Sequence, residues 1–185
     1  MTAPRHVIVA WEGVSGFALT GAAAAYTACG YAPLIVAAEA VLRTSEGLRF
    51  VPHALGFDGI ATAEHVVLPD GEPARAANDP DLTRALRGHR GRVTLAAGGG
   101  LDVLQRAGLL AGRRVACAPG EVARHDTTAS AARLVRDERL YSCALGDCLI
   151  DLVWHVLALE IGDDAVAAAA QRLGRDYQPF AFGAE

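Results

Sequence analysis

Short apolar runs recur along this chain, each closed by glycine or a polar turn and followed by a longer stretch of helical character. His6 to Trp11 (HVIVAW) is short, apolar and β-branched, which predicts a buried strand ended at Gly13. Phe17 to Cys29 is alanine-rich and stops at Gly30, a good helix terminator. Pro33 to Ala37 predicts the next strand. Val41 to Pro52 predicts a hairpin around Ser45-Glu46-Gly47, and His65 to Leu68 a strand running into Pro69-Asp70-Gly71. Asp79 to Leu86 fits a short helix with Asp79 or Asp81 as its cap. Val93 to Ala97 is a further buried strand. It passes through three glycines directly into a helix, Leu101 to Leu110, closed by Gly112. Arg114 to Cys117 reads as a short strand, and Leu134 to Ser142 as a hairpin around Asp137-Glu138. Cys148 to Ile161 reads as a strongly apolar helix ended by Gly162, and Asp163 to Leu173 as a second, alanine-rich helix. Arg175 to Glu185 is loop-like.

Short buried strands alternating with helices imply an α/β fold, with a largely parallel sheet covered on both faces. No repeat, linker or low-complexity tract divides the chain, so one domain over residues 1–185 is expected. In such sheets the site lies beyond the carboxyl ends of the strands. The loops after Trp11, Leu68 and Ala97 therefore become the candidates.

Composition narrows the chemistry. With 52% hydrophobic and 21% charged residues, the chain reads as globular. Its net charge of −4 carries no large block of one sign, which disfavours nucleic acid as a partner. No apolar run suggests a membrane span, and the start of the chain lacks the pattern of a signal peptide. A cytoplasmic location is expected. All 17 basic residues are arginine. Without lysine, Schiff-base chemistry on an enzyme amine and a phosphate loop with its usual lysine are both excluded. Cys29, Cys117, Cys143 and Cys148 form no Cys-x-x-Cys pair, so no metal site is expected and no cofactor is called for.

A strand that turns sharply into a helix through glycines has the geometry of a nucleophile elbow, where small neighbours relieve a strained backbone. Here Gly98 stands at the elbow. The wider pattern is more specific. Gly13-Val14-Ser15, Leu19-Thr20-Gly21, Leu68-Pro69-x-Gly71, the glycine elbow, Ala107-Gly108-Leu109-Leu110-x-Gly112-Arg113-Arg114 and Ile150-Asp151-Leu152 follow in order. In order and spacing they resemble the ThiJ/PfpI superfamily, class I glutamine amidotransferase-like proteins, from about His6 to Phe180. The tail Asp176-Tyr177-Gln178-Pro179-Phe180 is similar to that of the isonitrile hydratase branch.

The resemblance implies a flavodoxin-like three-layer sandwich and a homodimer. It also implies an elbow cysteine, an acid from the first helix that hydrogen-bonds it, and two backbone amides forming an oxyanion hole. In this chain the cysteine position is Gly98 and the residue after it is Gly99. The acid position is Ala18, and a histidine position is Ala118. Covalent thiol catalysis needs a thiolate and a group that stabilises it. Neither stands at the expected place, so peptidase, glyoxalase and isonitrile hydratase chemistry by the usual mechanism is rejected.

What survives on this reading is a pair of hole amides, at Gly71 and Gly99, over a pocket enlarged by glycine. Trp11 is the apolar wall expected to touch a ligand. Glu12, Asp70 and Asp147 are the carboxylates at the mouth that general acid–base chemistry would use. Each has a plainer alternative: a solvated turn carboxylate for Glu12 and Asp70, a helix cap for Asp147. Asp102 suits the dipole of a helix start, and Asp151 an ion pair with an arginine. His155 is one turn from Asp151, and His125-Asp126 a loop pair. Cys143 or Cys148 reads as a replacement thiol or, more plainly, a buried hydrophobe. Two functions remain open. One is a cysteine-independent enzyme (hydratase, lyase, isomerase or cyclase type) for a small carbonyl-bearing metabolite. The other is a catalytically inactive binding or sensing module.

Overall fold

A computed structural model describes residues 6–89, 92–116, 128–130 and 132–179. The strands are β1 (His6–Val9), β2 (Leu34–Ala37), β3 (Leu42–Arg43), β4 (Arg49–Phe50), β5 (Ala54–Leu55), β6 (His65–Leu68), β7 (Val93–Ala97), β8 (Arg114–Ala116), β9 (Thr128–Ser130), β10 (Leu134–Asp137) and β11 (Leu140–Cys143). The helices are α1 (Gly16–Ala28), α2 (Ala74–Ala77), α3 (Pro80–Gly88), α4 (Gly99–Arg106), α5 (Leu149–Ile161) and α6 (Asp163–Arg172). Seven strands form one sheet in the order β10-β11-β7-β6-β1-β2-β5. All neighbours run parallel except the β10–β11 hairpin at one edge. Helices α1, α5 and α6 pack together on one face, while α2, α3 and α4 cover the other. The expected α/β sandwich with a mainly parallel sheet is the structure found.

The strands are buried for the reason their sequence suggests. Every residue of β1 and β6 is buried, and apolar side chains facing both helical layers exclude water from the ladder. Helix α1 is apolar almost all round because it lies between the sheet and α5. That contact is close: a Cβ on Gly21 would overlap Ile150 of α5. Ser15 caps α1 by accepting from the Ala18 amide. At the amino ends of β1 and β6 the core turns polar. Tyr26 Oη lies 3.0 Å from His65 Nδ1, and His65 Nε2 lies 2.7 Å from Glu160.

Several elements differ from the sequence expectation. The Arg114 strand does not join the main sheet but pairs with β9 in a small separate one. The elbow helix begins at Gly99, not Leu101, and ends at Arg106. Short β5, α2 and a 3-10 turn at Asp58–Thr62 carry no periodic signal and were not expected. Asp147 does not cap the Cys148 helix. It sits in a 3-10 turn, Gly146–Cys148, and α5 starts without a side-chain cap. Cys117, Ala118, His125 and Asp126 lie outside the described residues.

The β3–β4 hairpin is fastened to α1 by Glu46. Its Oε2 accepts from the Gly16 amide at 2.9 Å, and its Oε1 accepts from Ser15 Oγ at 3.3 Å. The Gly16 amide is the main cause that holds this carboxyl near a pKa of about 2, below its ordinary 4.5. The stabilisation is thus present in full above about 4.5 and is lost as pH falls towards about 2. Because Glu46 is exposed, its contribution is of order 1 kcal/mol or less. Glu46→Gln should lower the unfolding midpoint at neutral pH, and the gap from the unsubstituted protein should close on acidification through that window. Denaturation curves that keep a constant offset across it would show that the carboxylate is not the source.

Candidate functional site

The carboxyl ends of β1, β6, β7 and β11 meet in one place, built largely from backbone. The loop after β1 is zipped to the loop after β6. The Ser15 amide donates to Asp70 O at 2.8 Å, the Glu72 amide to Gly13 O at 3.0 Å, and Val14 forms an isolated bridge with Gly71. The loop after β7 approaches as closely: a Cβ on Gly99 would overlap Gly71 O, and one on Gly100 would lie 2.8 Å from Pro69 O. Two of the three glycines after β7 are therefore required by neighbouring backbone.

Gly98 is required twice over. Its φ of +43° is a conformation that side chains disfavour. In addition, the space a side chain would enter is already filled: a Cβ there would overlap Asp70 Oδ1 and lie 2.8 Å from Oδ2. The pocket expected over Gly98 is thus occupied by Asp70, and this corrects the sequence reading of an emptied elbow.

Asp70 is held by amides from three loops. Its Oδ1 accepts from its neighbour Gly71 N at 2.8 Å and from Gly99 N at 2.8 Å. Its Oδ2 accepts from Gly146 N at 3.2 Å. The Gly71 and Gly99 amides expected to face an open pocket therefore donate to a carboxylate of the chain itself. Gly146 also makes room for it. A Cβ at 146 would come 2.8 Å from Asp70 Cβ and 3.4 Å from Ala18 Cβ, so Ala18, Gly98 and Gly146 form a small-residue surround.

The other expected site residues separate. Glu12 turns to the hairpin, where its Oε2 accepts from Arg43 N at 2.8 Å. Trp11 is 5% exposed and lines a cavity of about 50 Å³ with Leu42, Phe57, Ala76 and Leu82; its indole Nε1 has no partner among the described residues. Asp147 is exposed and its Oδ1 lies 3.3 Å from Cys148 Sγ. Asp102 lies in the first turn of α4.

Asp151 forms the ion pair expected of it, with Arg133 Nη2 at 2.6 Å, while His155 Nδ1 faces Tyr177 Oη at 3.4 Å. Gly146 was missed by sequence reasoning. Its only signal is a glycine three residues after a short strand, in a loop that brings an amide to a site on other strands.

The two described thiols near this centre are unsuited to nucleophilic work. Burial pushes the Cys143 thiol well up, and the charges of Cys148, Asp70 and Asp147 add to the shift. Burial also raises Cys148, against the lowering pull of Arg133, whose Nε lies 3.1 Å from the sulfur. Both therefore stay protonated near neutrality and behave as buried hydrophobes. Among the described residues no group of three or more His, Cys, Asp or Glu is placed to hold a metal ion. No described helix is long and apolar enough to cross a membrane.

No protein-family model matches the chain, and no curated protein matches it. Solved structures do. DJ-1beta of Drosophila melanogaster superposes with a TM-score of 0.82 over 95% of this chain and 100% of its own, at 16% identity. A ThiJ/PfpI family protein from Pseudomonas syringae gives 0.82 over 97% of this chain and 78% of its own, at 21% identity. Oxidized DJ-1 of Toxoplasma gondii gives 0.83 over 95% and 100%, at 16% identity. At these identities the likeness is one of fold: the chain has the fold of the DJ-1/ThiJ/PfpI proteins.

Asp70 and a side chain at position 98 compete for one volume. Gly98→Cys should cost about 3 kcal/mol or more from clash and strain. Asp70→Gly should cost about 1–3 kcal/mol by leaving buried amides unmatched. Combined, the two should fall short of the sum by about 1 kcal/mol or more in denaturant unfolding. Strict additivity would show that Asp70 is not what fills the space.

Proposed function

We propose that this chain is a cysteine-independent protein of the ThiJ/PfpI superfamily that acts on a small carbonyl-bearing metabolite by acid–base chemistry, with Asp70 as general base. The supporting observation is the Asp70 carboxylate itself, set at the strand-to-helix elbow by three backbone donors. Two of those donors use both lone pairs of Oδ1 in the carboxylate plane. Among the described residues Oδ2 accepts a single longer bond, which leaves it the less committed of the two oxygens. A base held this way pays little reorganisation when it takes a proton from a C–H or O–H acid beside a carbonyl. Gly98 and Gly146 set bare backbone beside it, and Ala18 a single methyl against Gly146.

This reading assigns roles to the remaining candidates. Glu12 fastens the hairpin and Asp147 stays at the rim, so neither is the base. The superfamily placement rests on the motif order described above together with the fold. The isonitrile hydratase branch rests on the Asp176–Phe180 resemblance alone. A homodimer in the cytoplasm belongs to the same proposal.

A second reading has its own support. The two amides that would polarise a substrate carbonyl are already satisfied by Asp70. A site with its anion hole filled from within suits a module that binds a metabolite without converting it.

Solvent-deuterium exchange separates the two. In D2O, with 2-oxo acids, 2-oxoaldehydes and hydroxyketones followed by proton NMR, the protein should exchange the hydrogen next to the carbonyl of its substrate class. Asp70→Asn should slow that exchange by about 10²–10⁴-fold, with Glu12→Gln within a few-fold of the unsubstituted rate. Exchange that survives Asp70→Asn would remove Asp70 as the base. Bound compounds recovered without exchange or conversion would establish the binding module instead.

A further inference from the structure

At the opposite end of β7 from Asp70 lies a cleft of about 590 Å³. It opens between α3, the end of α4 and the β10–β11 hairpin, and is lined by residues of all three. Its size is that of a small-molecule site. Three strand residues, Leu95 to Ala97, separate its Thr94 end from Gly98 at the elbow, a distance of roughly 13 Å, so it is a separate place on the molecule.

The cleft has an apolar floor and a cationic rim. Leu86, Leu104 and Leu140 are buried in its walls, and Leu109 is half-buried. Among the described lining residues Arg92, Arg113 and Arg139 stand against one carboxylate, Glu138. Arg87 stands beside it, with its Nε bound to Ala107 O at 2.9 Å.

These guanidiniums differ in how committed they are. Arg113 is held by Glu138 at 2.6 Å and Asp137 at 3.4 Å. Arg92 donates through Nη1 to Thr62 O at 2.6 Å and Ala63 O at 3.0 Å, and among the described residues its Nε and Nη2 make no hydrogen bond. Arg139, at the tip of the hairpin, makes no side-chain hydrogen bond or ion pair among the described residues. Buried His89 turns both ring nitrogens to backbone carbonyls, Ile60 O and Val93 O, each at 3.1 Å, and as a neutral ring it donates to one of them. The uncommitted donors are therefore arginine donors, which recognise planar or tetrahedral oxyanions in pairs.

We propose that this cleft is a second ligand site, taking an organic anion with an apolar body: a carboxylate or phosphate monoester on an alkyl chain or ring. Half-buried Leu109, backed by buried Leu86, Leu104 and Leu140, takes the body, and Arg139 and Arg92 take the oxyanion. The inference is independent of the role given to Asp70.

The test uses octyl phosphate, octanoate, octanol and inorganic phosphate as probes, titrated by calorimetry and by amide NMR shifts. Octyl phosphate or octanoate should bind more tightly than about 1 mM, with shifts at Thr94, Leu109 and Leu140. Whichever of the two binds more strongly identifies the head group. Octanol and inorganic phosphate should each bind at least tenfold more weakly. Arg139→Gln should weaken binding about tenfold, and Arg139→Glu further; both replace an exposed side chain, and an unchanged melting temperature shows the fold is kept. Three results would overturn the site: no binding of either amphiphile, equal binding of octanol, or shifts that map elsewhere.

Discussion

The carboxyl end of this sheet depends on one carboxylate. Loops that follow β6, β7 and β11 each turn a backbone N–H towards Asp70, and its two oxygens satisfy all three. Without that anion, three N–H dipoles would point at one another across a small volume. Hydrogen bonds from amides to an ion are among the stronger ones available to a protein. Asp70 therefore does for three loops what a bound anion does for a phosphate-binding loop, but the charge is supplied by the chain itself. The loop after β1 joins the same assembly through Ser15 N and Asp70 O, and through Ser15 it reaches Glu46 and the hairpin. A line of polar contacts thus runs from an exposed hairpin to the centre of the site.

Backbone, more than side chains, gives this centre its shape. Gly71, Gly98, Gly99, Gly100 and Gly146 lie where a Cβ would meet a carbonyl, a neighbouring backbone atom or Asp70. Dense backbone contact leaves few rotatable bonds nearby, so groups placed there are held closely. That rigidity suits a fixed base. It also suits a binding site that does not turn over, which is why the chemistry has to be decided by isotope exchange and not by shape.

Much of the fold was legible in the sequence because its signals are local. The apolar runs at His6, Pro33, His65 and Val93 became β1, β2, β6 and β7, and the alanine-rich segment after Ser15 became α1. The glycines after Ala97 marked the elbow, and Asp70 stood out as a carboxylate in the turn after a buried strand. What sequence could not supply was strand order. The neighbours of β7 are β6 and β11, so Gly146, distant in sequence, comes to lie against Asp70. Nor does sequence give the direction of a short side chain. Read along the chain, Gly98 is a loss; in three dimensions its missing Cβ is the seat of another residue's carboxylate. Short elements such as β5, β9 and α2 escaped for a related reason, since two to four residues contain no period to detect.

The shared volume at Asp70 and Gly98 also constrains how such sequences can vary. An acid at one position and any side chain at the other are alternative ways of filling a single space. Across related proteins these two positions should therefore change together: glycine at the elbow where the β6 loop carries the acid, and a small residue in that loop where the elbow carries a side chain. A lineage passing between the two states would have to empty the space before refilling it. The form with neither group is the only intermediate free of overlap, and it leaves the converging amides with water as their sole partner.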